Sequence, residues 1–194
     1  MHDGDDDVRL MLALRDGDES AFDALFQRWS GPVLRYVERM LRDAASAEDL
    51  VQETFLRMYR ARERYQPEAR FSTWLYTIAT RLALNELRRP RRQHPHRSTD
   101  EDGADTAPLV LTDTAPRADD VAHARRIGTS VETALEALPE RQRAALWLSA
   151  VEGLSYAEIA ESLETTEKSV KALVHRARSA LTEKLGAAYE GGRG

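Results

Sequence analysis

With 194 residues and a formal net charge of −5, the chain has room for one domain or two small ones, and it lacks the cation excess of a protein that coats nucleic acid unaided. It contains no cysteine, which excludes disulfides and thiolate metal centres and suits a reducing cytoplasm. No apolar run approaches membrane-spanning length, and Asp3, Asp5, Asp6 and Asp7 are the opposite of a secretory leader's basic start.

Residues 1–7 read as a disordered acidic N-terminus. From Val8 the pattern is helical: Leu10 and Leu14, then Ala21, Phe22, Leu25, Phe26 and Trp29, with Gly17 as a break. Pro32 reads as the first-turn residue of a fresh helix continued by Val33, Leu34, Val37, Met40 and Leu41. These positions read as core, with no chemistry. Ser46, with Asp49 three residues on, reads as the N-cap of a helix from Ala47 to about Arg62 that buries Leu50, Val51, Phe55, Met58 and Tyr59. Its outer face carries Glu48, Asp49, Gln52, Glu53, Leu56 and Arg57. First-turn acids suit the helix dipole, but a polar stripe with an exposed leucine also suits a partner protein.

Pro67 marks a short loop over Gln66–Ser72, and a helix follows from about Thr73 to Arg89, where Pro90 stops it. Tyr76, Thr77, Thr80, Arg81, Leu84, Asn85 and Arg88 give this helix a mixed aromatic, hydroxyl, amide and guanidinium surface. Such a mixture can hold phosphates and stack unpaired bases, and it equally fits a helix whose aromatics are simply buried. Residues 90–120 lose all periodicity; Pro90, Pro95, Pro108 and Pro116 with the acids Asp100, Glu101, Asp102 and Asp105 predict a flexible linker. His94 and His96 have no companion ligand cluster, so no metal site and no cofactor is expected.

Helix returns from about Asp119 with Val131, Leu135 and Leu138, and Pro139 opens another that runs to Gly153. In the stretch from Leu154 to Leu185, Ser155 and Glu158 form a predicted capping box, and Tyr156, Ile159, Ala160 and Leu163 follow a helical rhythm. After a break at Glu164-Thr165-Thr166, Val170, Leu173, Val174, Ala177 and Leu181 make a second inward stripe. Lys168, Lys171, Ala172, His175, Arg176 and Ser179 occupy its outer face, and no acid occurs from Lys168 to Thr182. Short helices at a tight turn, the second basic outside, are what a helix-turn-helix needs to enter the major groove. The expected fold is all-α, with two small helical domains (8–89 and 121–186) on a flexible linker, a helix-turn-helix in the second, and a disordered tail over 187–194. No Ser/His/Asp set or phosphate-cradling glycine loop stands at a credible spacing, so neither an enzyme nor a small-molecule substrate is expected.

SAEDLVQETFLRMYR (46–60), FSTWLYTIATRLALNELRR (71–89), LEALPERQRAALWLSAVEGLSYAEIAESL (135–163) and KSVKALVHRARSAL (168–181) occur in that order. Together they resemble the extracytoplasmic-function sigma factors, the smallest group of bacterial RNA polymerase sigma subunits. The resemblance implies core RNA polymerase (the β′ clamp helices and the β subunit) and promoter DNA as partners, often with an anti-sigma factor. It implies a β′ docking face at Asp49, Gln52, Glu53 and Leu56. A minus-ten reading surface would fall on Trp74, Tyr76, Thr77, Thr80, Arg81, Asn85 and Arg88. A minus-thirty-five reader would fall on Lys168, Lys171, Ala172, His175, Arg176 and Ser179. The linker would run through the polymerase channels. Two positions depart from the family pattern: Arg81 stands where asparagine is usual, and Ala172-Leu173 replace serine and arginine of the reading helix. The rival expectation is a stand-alone helix-turn-helix regulator with an N-terminal dimerising or sensing domain.

Overall fold

The computed structural model describes residues 3–89 and 128–191, and the regular structure among them is helical. Helix α1 (Asp3–Arg15) begins inside the acidic stretch expected to be unstructured. The buried Asp7 accepts a hydrogen bond from Arg28, which ties α1 to the next helix. Gly17, at φ 105°, makes the break that was expected.

Helix α2 (Ser20–Leu41) runs straight through Pro32, contrary to the expectation of a restart there. A mid-helix proline costs about 3 kcal/mol. Leu25 and Val33, on either side of it, are both fully buried, so packing of the long apolar face outweighs the lost hydrogen bond. Helix α3 (Ala44–Arg60) starts a turn earlier than expected: Asp43 is the N-cap residue and Ser46 donates its hydroxyl to Asp43 Oδ2 at 2.6 Å. Helix α4 (Phe71–Arg88) packs against α1, α2 and α3 and closes the first domain. At its centre Tyr36 and Tyr76 meet edge to face with ring centroids 5.5 Å apart, and the Tyr36 hydroxyl shares a 2.8 Å hydrogen bond with Thr80.

The second domain begins, among the described residues, with α5 over 128–136. Helix α6 (Glu140–Ala150) has Pro139 as its N-cap residue, one place before the first-turn position expected. Helix α7 (Tyr156–Ser162) starts at the expected capping box: Ser155 N–H donates to Glu158 Oε2 at 2.7 Å while Glu158 N–H donates to Ser155 Oγ at 3.3 Å. It ends in a Schellman motif, with Thr165 N–H on Ala160 O at 2.9 Å and Glu164 N–H on Glu161 O at 3.2 Å. Glu164 therefore adopts φ 50°, a left-handed conformation that a glycine would take more easily. Helix α8 (Glu167–Gly191) is capped by Thr166, whose Oγ1 accepts from Ser169 N–H at 3.2 Å. It extends well into the tail expected to be disordered.

The domains touch along two seams, α4 against α7 and α2 against α6. In the second, the buried guanidinium of Arg143 donates to Met40 O at 2.9 Å, capping the C-terminal end of α2, and to Glu136 O at 3.3 Å. Burial lowers the pKa of Arg143, and nearby Arg42 lowers it further. Arg39 reaches Glu132 of α5 at 2.8 Å at the rim of the same seam. The expected linker (90–120), the helix start near Asp119 and the pair His94 and His96 lie outside the described residues.

Candidate functional site

Helix α8 rests on α6 and α7 through Val170, Val174 and Ala177, all buried. That leaves Lys168, Lys171, His175, Arg176 and Ser179 exposed, with Ala172 half-buried beside them. Among the described residues none of these cations is joined to a carboxylate. Arg178, two turns beyond Lys171, lies on the same face and is also exposed. The sequence reading passed over it, although the i, i+7 spacing could have found it. A helix about 10–12 Å across fits the major groove, about 12 Å wide, so this face can set base-edge contacts between flanking phosphate contacts.

On α3, Asp49, Gln52 and Leu56 are exposed; Glu53 is half-buried and accepts from Arg57 Nε at 2.7 Å. Beside them opens a groove of roughly 730 Å³ lined by Phe22, Phe26, Phe55, Leu56, Tyr59 and Gln52 among others. Phe22 and Phe26 stack at 6.2 Å and Phe26 meets Phe55 edge-on at 4.8 Å. Both α2 phenylalanines read from the sequence as core. Phe26 is 38% exposed and Leu56 41%, so the acidic stripe borders an apolar trough. Periodicity on α2 showed an apolar face, but not how far α3 would cover it.

Helix α4 differs most from expectation. Tyr76 and Thr80 were expected on the reading surface, and both are fully buried inside the first domain. At 100° per residue Thr80 lies about 100° and Tyr76 about 140° round the helix from Arg81, too wide an arc for one exposed face. Burial raises the Tyr76 pKa well above its ordinary value, and the neighbouring Glu152 carboxylate adds to this. Thr77 is buried too, but against the other domain: its hydroxyl donates to Thr73 O at 2.8 Å and lies 2.8 Å from Ser162 Oγ. Trp74 is half-buried, its ring tilted on Tyr65 at 4.9 Å and on Phe71 at 6.2 Å, beside the 66–72 loop. Asn85 and Arg88 are exposed, and Arg81 pairs through Nε with Glu164 Oε1 at 3.1 Å.

No group of three or more metal-ligating side chains occurs among the described residues, and no helix among them is long and apolar enough to cross a membrane.

Comparison with known proteins agrees with this architecture domain by domain. The Sigma-70 region 2 family matches residues 25–93, and Sigma-70 region 4 matches residues 129–181. The RNA polymerase sigma factor CarQ of Myxococcus xanthus is 38% identical over 176 residues, spanning 91% of this chain and 95% of that protein. The ECF RNA polymerase sigma-E factor of Haemophilus influenzae is 31% identical over 195 residues, spanning 92% and 95%. In fold, the chain resembles CnrH, solved with the cytosolic domain of CnrY, at a TM-score of 0.66 and 23% identity over 93% of this chain and 97% of that one. It also resembles RpoE of Bartonella quintana, solved with the anti-sigma factor NepR, at a TM-score of 0.61 and 21% identity over 85% and 96%. Because the likeness to sigma factors runs through both domains, the stand-alone regulator is not favoured, and the chain belongs to the extracytoplasmic-function sigma factors of RNA polymerase.

Proposed function

We propose that this sigma factor works in the cytoplasm as a non-catalytic specificity subunit, docking on core RNA polymerase by one face and reading promoter DNA by two others. The docking face is the acidic edge of α3, at Asp49, Gln52 and Glu53, with Leu56 and the trough between α2 and α3. Polymerase's β′ clamp helices supply the basic and apolar side chains that fill it, and the β subunit holds the second domain. The free cations of α8 position that domain on the minus-thirty-five duplex while Lys171, Ala172, His175 and Arg176 face base edges. The exposed groups of α4, namely Arg81, Asn85 and Arg88, with Trp74 at the loop, capture the melted minus-ten strand.

A net charge of −5 makes the free protein a weak DNA binder. Held at a fixed separation by polymerase, the two readers act intramolecularly and their affinities compound. An anti-sigma factor that covers these faces completes the scheme.

The observation that carries this reading is the apolar trough flanked by carboxylates on one domain together with an exposed basic helix face on the other. The test is promoter-specific run-off transcription with purified core enzyme. Asp49→Arg with Glu53→Arg is expected to abolish core binding with only a small drop in melting temperature, because Asp49 is exposed and the surface ion pair of Glu53 with Arg57 contributes at most about 1 kcal/mol. Normal polymerase affinity in that variant would refute the docking assignment.

A further inference from the structure

The seam between α2 and α6 holds a cleft whose cations neither domain uses up. It has a volume of roughly 200 Å³ and is lined by Arg35, Glu38, Arg39 and Arg42 of α2 and its C-cap, Glu136 of α5 and Trp147 of α6. Arg35, Arg39 and Arg42 stand four and three residues apart, so three guanidiniums follow one another along one face of α2. Glu38 stands three residues after Arg35 and four before Arg42, the spacings at which a helix pairs opposite charges. Among the described residues it bridges neither, and of the three arginines Arg39 alone has a carboxylate partner there, Glu132 at 2.8 Å.

Helix electrostatics accounts for one of these cations. Arg42 ends α2, where the dipole favours positive charge, but Arg35 is about two turns away and receives no such help. Across the seam lies a fourth guanidinium. Arg143 is buried, and its Nε has no hydrogen-bond partner among the described residues. Its pKa is lowered by burial first and by Arg42 second, and Glu140 and Glu136 offset this only in part. Like charges are therefore brought together at the edge of a buried seam, an arrangement that an anion beside them relieves.

We propose that this cleft is a binding site for a small phosphate-type dianion, either inorganic phosphate or the phosphate group of a metabolite. A guanidinium fork matches phosphate oxygens two at a time and keeps its charge across the physiological pH range, and a dianion can meet more than one fork. Size selects among anions: pockets for drug-sized ligands start at about 300 Å³, so this one takes a group of a few atoms. Because α2 supplies the arginines while α5 and α6 supply Glu136 and Trp147, the bound ion lies between the domains, and parting them dismantles its site.

The test is calorimetric titration of the full chain with sodium phosphate at constant ionic strength, with sodium chloride as the reference. One ion per chain is expected, with a dissociation constant on the order of 1 mM or tighter. Arg35→Gln with Arg42→Gln should weaken binding at least about tenfold, since each substitution removes a charge-assisted bond. Arg60→Gln with Arg64→Gln removes the same charge from exposed positions outside the cleft and should leave binding unchanged. Glu38→Gln and Glu136→Gln each remove a repelling carboxylate from one wall and should each tighten binding about threefold, a gain that does not depend on the arginine variant folding. Absence of saturable binding, or an equal loss from both arginine pairs, overturns the proposal. A gain from Glu38→Gln without one from Glu136→Gln overturns it too, because the ion would then sit on α2 alone. Titration with glycerol 3-phosphate identifies the source within the same site: tighter binding than phosphate assigns it to a metabolite, and weaker binding assigns it to the free ion.

Discussion

Helices α8 and α4 are both proposed to meet DNA, yet they are held in opposite ways. The outer face of α8 is uncovered and its cations have no carboxylate partner among the described residues, whereas α4 is enclosed by α1, α2, α3 and α7 and shows solvent only the side bearing Arg81, Asn85 and Arg88. A helix packed on one flank divides its residues cleanly between core and surface, so its chemistry can be read from its spacing. A helix packed on several flanks does not, and each polar residue on it needs a partner inside the protein before it can be offered to a ligand.

The sharpest way to break this contrast is to truncate α4. Tyr76→Ala should cost about 3–5 kcal/mol in urea denaturation, as expected for a fully buried aromatic, before any effect on promoter binding is considered. A cost under about 0.5 kcal/mol, usual for an exposed site, would return Tyr76 to the reading surface. The counterpart on α8 is Arg178→Ala, which should leave stability unchanged and reduce the salt dependence of duplex binding by the holoenzyme by about one unit of slope. An unaltered slope would show that this arginine meets no phosphate.

A smaller effect concerns pH. Burial of Glu158 opposes its charge, but hydrogen bonds from the Thr73 and Ser155 hydroxyls and from the Ser155 N–H outweigh it and hold the pKa below the ordinary 4.5. A depressed carboxyl pKa contributes stability that is complete above the ordinary value and lost as pH falls through the folded one. The α4–α7 contact should therefore hold at neutral pH and loosen in acid, as pH falls below the ordinary 4.5, visible as a longer distance between dyes placed on the two domains at Arg64→Cys and Glu183→Cys. In Glu158→Gln that acid step should disappear, and its persistence would mean that another group titrates there.

What was legible in the sequence follows the same division. The capping box at Ser155 and Glu158, the threonine cap of α8 and the break at Gly17 are bonds or backbone choices made within a few residues, so local chemistry determines them. The polar outer stripe of α3 and the basic outer face of α8 were legible as surfaces because each lies on a helix with one uncovered side. Three features were not. The helical start at Asp3 depends partly on an arginine 21 residues after Asp7. The continuity of α2 through Pro32 depends on packing against other helices. The burial of Thr77 depends on a serine 85 residues away, in the other domain. Phe26 failed in the other direction, since apolar spacing announces a face to be covered and α3 covers only part of it.

Arg143 gives the seam between α2 and α6 a particular kind of motion. Its Nη2 donates to a carbonyl of the first domain, Met40 O, when the domains are together, and to water when they are far apart. At intermediate separations it keeps the 3.3 Å bond to Glu136 O of its own domain but loses the one to Met40 O, and the gap is too narrow to hydrate that end of the cation. That halfway state is the expensive one, so the seam should part in a single step over a barrier and not by gradual hinging. The delay between meeting polymerase and becoming competent for a promoter would then be a property of one buried side chain.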